Sequence, residues 1–372
     1  MKICIILDCL DVDQFTGIPM CAYNLTKNIL EIDNKNEYYL LHSKNTQLDI
    51  YKHANEIILP LNYSREIRYS IQIPFFLRKY NFDVVFTPEH FPPLFMQKKT
   101  LLIIHDLSPL IYPDTRQYPL ISKLKHKYLF GFLLKIFTKK IITVSMNTKN
   151  DLIRYLNISG EKITVIYNGL NEPFIAYRND ISLEKTIPKF NLPKHFLLCV
   201  ATLEPRKNIL MIIEAYHKLK KMGFEQKLVL VGKKGWKYNN IHTKIKQLGL
   251  ENEVVFTGYV SDRDLSVIYH IADVFIYPSL YEGFGFPPLE AMACGCPVIT
   301  SDSSSLPEVV GNAAIKINPR DINELTDAIE KLLVDPNLRD IMIIKGIKQA
   351  QKFRWNETAK EYIKIFNAFG DT

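Results

Sequence analysis

The chain has 372 residues, of which 47% are hydrophobic and 23% charged, and its formal net charge is +8. Because a single hydrophobic core rarely grows beyond about 250–300 residues, this length predicts two domains. The composition is that of globular proteins and excludes a disordered chain, a collagen-like chain and a small disulfide scaffold.

The six cysteines show no C-x-x-C pair and no zinc-ligand spacing, so we expect reduced, buried thiols in a cytoplasmic protein. The N-terminal apolar run ends at Leu7 with no small-residue cleavage site after it, which predicts a strand rather than a signal peptide. No stretch reaches 18 apolar residues, so we expect no transmembrane helix.

Short apolar runs alternate with helix-like stretches along the chain, in two series. The first series comprises Lys2–Leu7, Tyr38–Leu41, Val84–Phe86, Leu101–Ile104 and Ile141–Val144. The second series comprises Phe196–Ala201, Leu228–Val231, Val254–Phe256, Val274–Tyr277 and Pro297–Thr300. Such runs between helices indicate parallel strands covered on both faces, so the pattern predicts an α/β protein with two doubly wound domains.

A proline-containing stretch without periodicity, around Pro173 and Pro188, predicts the boundary between the domains. We predict an N-terminal domain over 1–172, a linker over 173–190, a C-terminal domain over 191–355 and a terminal helical segment over 356–372. Ligands of open parallel sheets bind outside the carboxyl ends of the strands, so two facing domains would enclose a cleft there.

The strongest local signal follows the predicted strand that ends at Tyr277. Gly283 and Gly285 lie in a loop, and Pro287 and Pro288 follow where the first turn of a helix would begin. Glycines before a helix N-terminus let backbone N–H groups approach an anion, and the helix dipole favours negative charge there. The segment therefore predicts a phosphate-binding loop, although it lacks the P-loop pattern.

Two carboxylates, Glu282 and Glu290, flank this loop at a separation of eight residues. A carboxylate beside a phosphate site is unfavourable unless it binds a sugar hydroxyl, so we interpret both as hydroxyl-binding groups. The alternative is that Glu282 is an ordinary loop residue and that Glu290 is favoured by the helix dipole.

A second candidate site, the adjacent pair Arg206 and Lys207, follows the first strand of the second domain. The planar fork of Arg206 and the point charge of Lys207 together suit a diphosphate. The alternative is a surface turn with two solvated cations, but the position at the carboxyl end of a strand favours binding.

In the first domain, His105 and Asp106 follow a predicted strand, where the histidine would donate to a sugar hydroxyl. The alternative is a histidine with a purely structural role. Gly17, in the loop after the first strand, permits close approach of the backbone to a ligand.

Two D-x-D sequences, Asp11–Asp13 and Asp262–Asp264, are candidates for divalent-metal binding. Asp262 fits better as an acid at the start of a helix, and Asp11 and Asp13 have no obvious third ligand. We therefore predict no metal site.

The excess of positive charge lies mainly in residues 1–190, which hold 24 basic and 18 acidic residues. The segment 117–140 has no acid and carries the lysines Lys123, Lys125, Lys127, Lys135, Lys139 and Lys140. A basic amphipathic segment of this kind can lie on an anionic membrane surface, and the alternative is a solvated helix face. No nucleic-acid motif accompanies the charge, so we do not expect nucleic-acid binding.

Taken in order, these motifs resemble those of the retaining glycosyltransferases of the GT-B architecture, family GT4, over nearly the whole chain. The most specific match is Glu-x7-Glu from Glu282 to Glu290, followed by Ser301–Gly311. Further matches are Gly17-Ile18, His105-Asp106 and Glu204–Asn208. The resemblance implies two Rossmann-like domains facing a central cleft and a nucleotide-sugar donor as substrate. We expect no cofactor and no required divalent metal.

The resemblance also implies roles for the candidate residues. Arg206 and Lys207 would bind the donor diphosphate and stabilise its departure, and Glu290 would bind the ribose. His105 would contact the transferred sugar near its anomeric carbon. The transferred sugar would also be held by Glu282 and by the backbone around Gly283, Phe284, Gly285 and Phe286. The catalytic candidates are His105, Glu282, Arg206 and Lys207.

Three further implications concern the ends of the two domains. Gly17 would let the first domain approach the phosphates, and Tyr259 and Val260 would line the pocket for the base. The C-terminal helix would cross back to the first domain.

The sequence departs from the family pattern at two places. Met20 stands where many relatives carry a cation. Ala201-Thr202 stands where many carry Gly-Arg, so Arg206 would bind more of the phosphate charge.

The Leu-Glu-Pro-Arg-Lys-Asn form of the second motif resembles mannosyltransferases of surface polysaccharide assembly. We therefore expect GDP-mannose as donor and a lipid-linked or oligosaccharide acceptor, with the enzyme in the cytoplasm or on the inner face of the membrane. Alternatives are another donor (UDP-glucose, UDP-GlcNAc, or a dTDP or GDP deoxysugar), a non-catalytic nucleotide-sugar-binding subunit, and an epimerase. A dehydrogenase is disfavoured because no Gly-x-Gly-x-x-Gly follows either first strand.

Overall fold

The computed structural model describes residues 1–11, 17–44, 49–60, 67–96, 99–112, 120–175 and 183–370. The chain divides into two compact units. Unit 1 comprises Met1–Leu110, Tyr118–Gly169 and Phe353–Thr372, and unit 2 comprises Ile111–Gln117 and Leu170–Lys352.

Each unit contains one parallel sheet, which confirms the predicted α/β fold class. In the described residues, the unit 1 sheet has the strand order β3-β2-β1-β4-β5-β6-β7, and the unit 2 sheet has the order β10-β9-β8-β11-β12-β13. The unit 1 strands are β1 (Lys2–Ile6), β2 (Glu37–His42), β3 (Asn55–Ile58), β4 (Val84–Thr87), β5 (Thr100–Ile104), β6 (Lys140–Thr143) and β7 (Ile163–Val165). The unit 2 strands are β8 (Phe196–Val200), β9 (Lys227–Val231), β10 (Val254–Gly258), β11 (Val274–Tyr277), β12 (Val298–Ser301) and β13 (Ile315–Ile317).

Helices connect most of the strands. In chain order they are α1 (Ile18–Ile32), α2 (Ile73–Leu77, directly after a π-helical turn at Arg68–Gln72), α3 (Ser108–Ile111), α4 (Leu120–Phe137), α5 (Met146–Leu156), α6 (Glu172–Ile175), α7 (Leu183–Lys189), α8 (Ile209–Lys221), α9 (Asn239–Gln247), α10 (Asp262–Ile271), α11 (Phe286–Ala293), α12 (Leu306–Val310), α13 (Ile322–Val334), α14 (Pro336–Ala350) and α15 (Trp355–Gly370).

The central strands form the cores of the two units. Every residue of β5 and of β8 is buried. Both strands are rich in leucine, isoleucine or valine with no polar alternation, as expected of parallel strands covered on both faces. In both sheets the strand order reverses direction beside the first strand, which is the point at which doubly wound sheets bind ligands.

The prediction that residues 173–190 form a linker differs from what the structure shows for the described part of this stretch. It includes most of α6 and all of α7, and both helices contact α10 of unit 2. Lys189 Nζ lies 2.7 Å from Asp264 Oδ2, and Thr186 Oγ1 donates to Asp264 Oδ1 at 3.3 Å. The stretch is therefore part of unit 2, because polar contacts that a proline count does not reveal attach it to α10. Residues 176–182 lie outside the described residues.

The C-terminal helix α15 belongs to unit 1, where it contacts α1. The rings of Tyr362 and Phe366 each lie 5.5 Å from the ring of Phe86 on β4. Thr358 Oγ1 donates to the carbonyl of Tyr167 at 2.8 Å. This helix therefore returns the chain to the unit in which it began.

Candidate active site

Two loops of unit 2 are brought together by sheet topology. β8 and β11 pair in parallel, so their carboxyl ends are neighbours. A short 3-10 helix after β8 carries Arg206 and Lys207, and the loop after β11 carries Glu282. The predicted cations and the predicted carboxylate therefore meet although Lys207 and Glu282 are 75 residues apart.

Glu282 is the centre of a buried polar cluster. Its Oε1 accepts hydrogen bonds from Lys207 Nζ at 2.6 Å, Ser279 Oγ at 2.6 Å and Tyr277 Oη at 3.0 Å. Its Oε2 lies 3.0 Å from Nη1 of Arg206. Because both oxygens have charged or hydroxyl donors, the carboxylate is fixed in one orientation before any ligand binds.

The electrostatics of the cluster favour the ion pair. Burial alone would raise the pKa of Glu282, but the charges of Lys207 and Arg206 and the bonds from Lys207 and Ser279 lower it to about 2. Burial lowers the pKa of Lys207, and Glu282 opposes this effect. Burial and Glu282 raise the pKa of Tyr277 well above its ordinary range, so its hydroxyl remains a donor.

The guanidinium of Arg206 is held on three sides. Nε and Nη2 donate to Oε1 of Glu204 at 3.1 and 2.9 Å, and Nη1 donates to the carbonyl of Tyr281 at 2.6 Å. The guanidinium is therefore fixed in orientation, with Glu204 and Glu282 as its carboxylate partners. Glu204, Tyr277 and Ser279 are supporting residues that the sequence analysis did not identify.

The loop that carries Glu282 is held by serines that follow β12. Ser304 Oγ accepts from the backbone N–H of Glu282 at 2.8 Å. Ser305 Oγ donates to the carbonyls of Glu282 and Phe284, at 3.0 and 2.8 Å. The run Ser-Asp-Ser-Ser-Ser directly after a strand is the signal in the sequence for this role, which the resemblance over Ser301–Gly311 did not specify.

Helix α11 begins at Gly285 as its N-cap, with φ +110. An added Cβ would lie 2.6 Å from Cδ2 of Leu306. Both the positive φ angle and the packing of Leu306 therefore require glycine at this position. Pro287 and Pro288 occupy the first turn and have no N–H. The backbone donors at this helix end are therefore those of Gly285 and Phe286.

Glu290 lies about one turn into α11, in a second polar cluster. Oη of Tyr269 donates to its Oε2 at 3.0 Å. Burial and the nearby charge of Asp262 raise the pKa of Glu290 to about 8, although the bond from Tyr269 opposes the rise. The two glutamates of the Glu-x7-Glu motif therefore have different pKa values because their surroundings differ. Glu282 is ionised at neutral pH, and Glu290 is largely protonated.

The residues predicted to line a base pocket follow β10. Tyr259 is exposed, and Nζ of Lys233 lies 5.1 Å from its ring centre. Val260 is buried. Lys233 follows β9, a position to which the sequence analysis assigned no function.

In unit 1, His105 is buried directly after β5, and its Nε2 lies 3.0 Å from the carbonyl oxygen of Pro88. A carbonyl only accepts hydrogen bonds, so we assign the proton of the neutral ring to Nε2. Burial lowers the pKa of His105, against the effects of the Pro88 bond and Asp106. The neutral ring therefore presents Nδ1 as an acceptor, which differs from the expectation that it donates to a sugar hydroxyl.

Two other unit 1 candidates have local structural roles. Asp106 Oδ1 accepts from the N–H of Ser108 at 2.7 Å and so begins α3. Gly17 is the N-cap of α1 with φ +60, and a Cβ there would meet nothing within 4 Å. Glycine is thus favoured by backbone conformation at this position, and the neighbouring residues 12–16 lie outside the described residues.

The D-x-D sequences have other partners. Asp262 lies in the first turn of α10, and Asp264 pairs with Lys189. Asp11 Oδ2 accepts from the N–H of Ser43 at 2.9 Å, whereas Asp13 lies outside the described residues. In the part of the chain that the structure describes, no group of three or more His, Cys, Asp or Glu side chains could hold a metal ion.

The basic segment forms α4 and the start of β6. Its apolar residues divide between core and surface: Phe130 and Leu134 are buried, whereas Tyr128, Leu129, Phe132 and Ile136 are exposed. Lys135 is exposed, Lys139 lies 4.6 Å from the ring centre of Phe369, and Lys140 is half-buried. The side chains of Lys123, Lys125 and Lys127 lie outside the described residues. Over the described ranges, no helix is both long and apolar enough to cross a membrane.

Comparisons with known proteins identify the family of this chain. The family profile "Glycosyl transferases group 1" matches residues 180–349, and "Glycosyltransferase Family 4" matches residues 36–172. O-antigen chain mannosyltransferase B of Escherichia coli is 31% identical over 297 residues, which are 78% of this chain and 75% of that protein.

Solved structures share the fold at low identity. Sucrose-phosphate synthase from Thermosynechococcus elongatus has a TM-score of 0.78 at 20% identity and is covered, like this chain, over 100% of its length. HepE of Anabaena, solved with UDP and glucose, has a TM-score of 0.75 at 18% identity, with 99% of this chain and 100% of that chain covered. The chain therefore belongs to the group 1, family 4 glycosyltransferases and has their GT-B fold.

Proposed function

We propose that this glycosyltransferase transfers mannose from GDP-mannose, with retention of anomeric configuration, to a lipid-linked or oligosaccharide acceptor of a surface polysaccharide. The observation that carries the proposal is the buried Arg206–Lys207–Glu282 cluster beside the N-terminus of α11. The relative from E. coli, an O-antigen chain mannosyltransferase, supports mannose and the polysaccharide role.

The chemistry of the cluster fits departure of a nucleoside diphosphate. As the bond from the anomeric carbon to the phosphate oxygen breaks, negative charge grows on the diphosphate. Arg206, Lys207 and the N–H groups of Gly285 and Phe286 would stabilise that charge. The acceptor oxygen would bond to the anomeric carbon on the face that the leaving group vacates, and its proton would pass to a diphosphate oxygen. Because the groups proposed to stabilise this charge are Arg206, Lys207 and backbone N–H groups rather than a metal ion, we expect turnover to survive chelation by EDTA.

The remaining candidates would bind the rest of the donor. Glu290 would bind the ribose hydroxyls, and Tyr259 and Val260 would contact the base. His105 would accept a hydrogen bond from the transferred sugar through Nδ1. A UDP-sugar is the second candidate donor, because the structural neighbour HepE was solved with UDP and glucose.

A donor screen tests the proposal. Thermal unfolding would be followed with GDP-mannose, UDP-glucose, UDP-GlcNAc and a dTDP sugar, and release of the nucleotide would be measured for each. We expect GDP-mannose to raise the unfolding temperature most and to be hydrolysed or transferred, with and without EDTA. Turnover of a UDP-sugar alone would establish the second candidate donor. Tight binding of one donor without any turnover would instead indicate a non-catalytic subunit.

We further propose that unit 1 lies on the anionic inner face of the cytoplasmic membrane through α4. Its exposed side chains Tyr128, Leu129, Phe132 and Ile136 are apolar, and Lys135 beside them is cationic. Aromatic and aliphatic side chains with neighbouring lysines are the pattern of interfacial helices. A lipid-linked acceptor would then be held at the surface where the enzyme binds.

A further inference from the structure

A cavity of unit 1 lies at the edge of its sheet opposite to His105. Part of its wall comes from Phe82, two residues before β4, and part from Lys99, directly before β5. The cavity is therefore at the amino ends of these strands, whereas ligands of open parallel sheets ordinarily bind at the carboxyl ends. Its volume is about 320 Å³, within the range of sites for small molecules. It is thus a candidate site separate from the reaction.

The described lining of this cavity combines apolar side chains with two cations and includes no acid. The apolar side chains include those of Leu77, Phe82, Phe95 and Met96, and the cations are Arg78 and Lys99. An apolar wall favours a hydrocarbon group, and cations without a neighbouring acid favour an anion. The lining therefore suits a ligand with an anionic head and an apolar chain.

Both cations have donors available for an anion. Nζ of Lys99 donates to the carbonyl of Phe82 at 2.5 Å and to Oδ1 of Asn81 at 3.4 Å, which leaves one N–H of the ammonium for a ligand. Arg78 is exposed, and within the described part of the chain its guanidinium has no hydrogen bond or ion pair. A planar fork beside a point charge matches the oxygens of a phosphate group.

Phe95 lines the cavity in a backbone conformation that costs free energy. Its φ is +61, in the left-handed region that bulky side chains avoid, and its side chain is 63% exposed. Its ring lies 5.5 Å from that of Phe137, the last residue of α4, and so connects the cavity to the end of that helix. An exposed aromatic ring that is kept in a strained conformation points to a binding role.

We propose that this cavity binds one anionic phospholipid of the membrane surface. Its phosphate would lie at Arg78 and Lys99, and the start of an acyl chain would lie beside Phe95 and Met96. The small volume fits a phosphate, a glycerol unit and the first carbons of a chain, so the rest of the lipid would stay in the bilayer. The source of the ligand rests on the proposed membrane contact of α4, whereas the proposed transfer reaction plays no part in the inference.

Binding is tested by NMR of the full chain labelled with 13C in its methionine methyl groups, because Met96 lines the cavity. The probe is dihexanoyl phosphatidylglycerol, a soluble lipid, used below its critical micelle concentration. Inorganic phosphate, glycerol phosphate and dihexanoyl phosphatidylcholine are the comparison ligands. We expect the anionic lipid to shift the Met96 signal and to bind roughly tenfold more tightly than the others, since it alone offers both net charge and chain.

Two variants separate the head from the chain. Arg78→Gln should weaken binding roughly tenfold, and Lys79→Gln, at the adjacent exposed cation, should stay within about twofold of the wild type. Phe95→Gly should also weaken binding, because the ring is lost while glycine adopts a φ of +61 without strain. Ile344→Ser, at an exposed side chain of unit 2, is the control for lost apolar surface and should bind as the wild type does.

The outcomes separate this inference from the other proposals. If the lipid does not shift the Met96 signal, or if Arg78→Gln binds it as well as Lys79→Gln does, the inference is wrong even when the chain consumes a nucleotide sugar. Phosphate that binds as tightly as the lipid would also overturn it, because the apolar wall would then contribute nothing. Lipid binding that depends on Arg78 and Phe95, in a chain that turns over no donor, would uphold the site and overturn the proposed function.

Discussion

Nζ of Lys207 lies 2.6 Å from Oε1 of Glu282, and both side chains are 11% exposed. This ion pair joins the turn after β8 to the loop after β11. Because Arg206 contacts the other carboxylate oxygen, the buried Glu282 has two cationic neighbours. A change in any of the three residues therefore alters the charge that the other two present to a ligand.

Lys207→Ala should lower turnover by roughly 10²-fold or more, the effect typical of losing one group that stabilises developing charge. The measurement is kcat and KM for the donor that the screen identifies. Lys221→Ala, at an exposed lysine that ends α8, is the control and should leave both constants unchanged. An unchanged rate in a folded Lys207→Ala protein would remove this residue from the mechanism.

The low pKa of Glu282 makes the stability of unit 2 depend on pH. The pKa is about 2 in the folded protein and about 4.5 ordinarily, so ionised Glu282 stabilises the fold. This stabilisation, about 3 kcal/mol, is complete well above pH 4.5 and is lost as pH falls from there towards 2. The free energy of unfolding of Glu282→Gln should therefore fall well below that of the wild type at pH 7 and approach it at pH 3. Urea unfolding at several pH values checks this, and a constant difference would contradict it.

Glu290 should behave in the opposite way. Its folded pKa of about 8 lies above the ordinary 4.5, so the wild type loses stability as pH rises from 4.5 to 8. Glu290→Gln does not titrate at this position. Its free energy of unfolding should therefore exceed that of the wild type by a margin that grows across this window, up to about 5 kcal/mol. The same variant should bind nucleotide sugar about as well as the wild type at pH 5, where Glu290 is neutral, and more weakly at pH 8, where ionised Glu290 forms a charge-assisted bond to a hydroxyl worth about 1.5–3 kcal/mol.

Melting temperatures at pH 5 and pH 8, with and without nucleotide sugar, test both parts of this prediction. Glu251→Gln, at an exposed loop glutamate of unit 2, is the control and should follow the wild type. A Glu290→Gln protein that is less stable than the wild type at pH 8 would show that Glu290 is not held in its protonated form.

The central strands could be predicted from sequence because two-sided burial leaves continuous apolar runs, as in β5 and β8. β3, β7 and β13 were not predicted. They are edge strands of three or four residues, and each includes an exposed or half-buried position. A strand with one neighbour has less buried surface, and these three are also short, so their sequences lack the apolar run that still identified the edge strand β10, Val254–Gly258.

The candidate site could be predicted from the sequence only in part. Arg206, Lys207 and Glu282 stand in local motifs whose chemistry is recognisable from their neighbours. The positions of Tyr277 and Ser279 are visible in the sequence, but their bonds to Glu282 depend on the course of the loop. The opposite pKa shifts of Glu282 and Glu290 depend on residues that approach from other strands and helices, which no linear motif encodes.

A buried ion pair outside the candidate site offers a test of unit 1. Nε and Nη2 of Arg68 each lie 2.7 Å from an oxygen of Asp8, and Nη1 donates to the carbonyl of Leu59 at 2.6 Å. Arg68→Met should cost about 3–5 kcal/mol of unfolding free energy, because it leaves Asp8 without its buried partner. Asp8→Leu/Arg68→Met should recover much of that loss, since no charge is then left unpaired.

Tryptophan fluorescence can follow unit 1 alone in this experiment. The chain has two tryptophans, Trp236 in unit 2 and Trp355 in unit 1. In a Trp236→Phe background, urea unfolding reported by Trp355 therefore measures unit 1. Equal stabilities of Arg68→Met and the parent would show that the ion pair contributes nothing.

The membrane proposal predicts two separable contributions from α4. Changing Lys123, Lys125 and Lys127 together to Glu should reduce co-sedimentation with anionic liposomes. High salt should have the same effect on the wild type, because salt screens the attraction between lysines and anionic lipids.

Phe132→Ser should reduce binding further and independently of salt, because the exposed ring, 53% accessible, would enter the interface. Phe75→Ser, at an exposed phenylalanine of α2, is the control for lost apolar surface. Unchanged sedimentation of the lysine variant would favour a solvated helix face, and equal losses from Phe132→Ser and Phe75→Ser would show that α4 is not the specific contact.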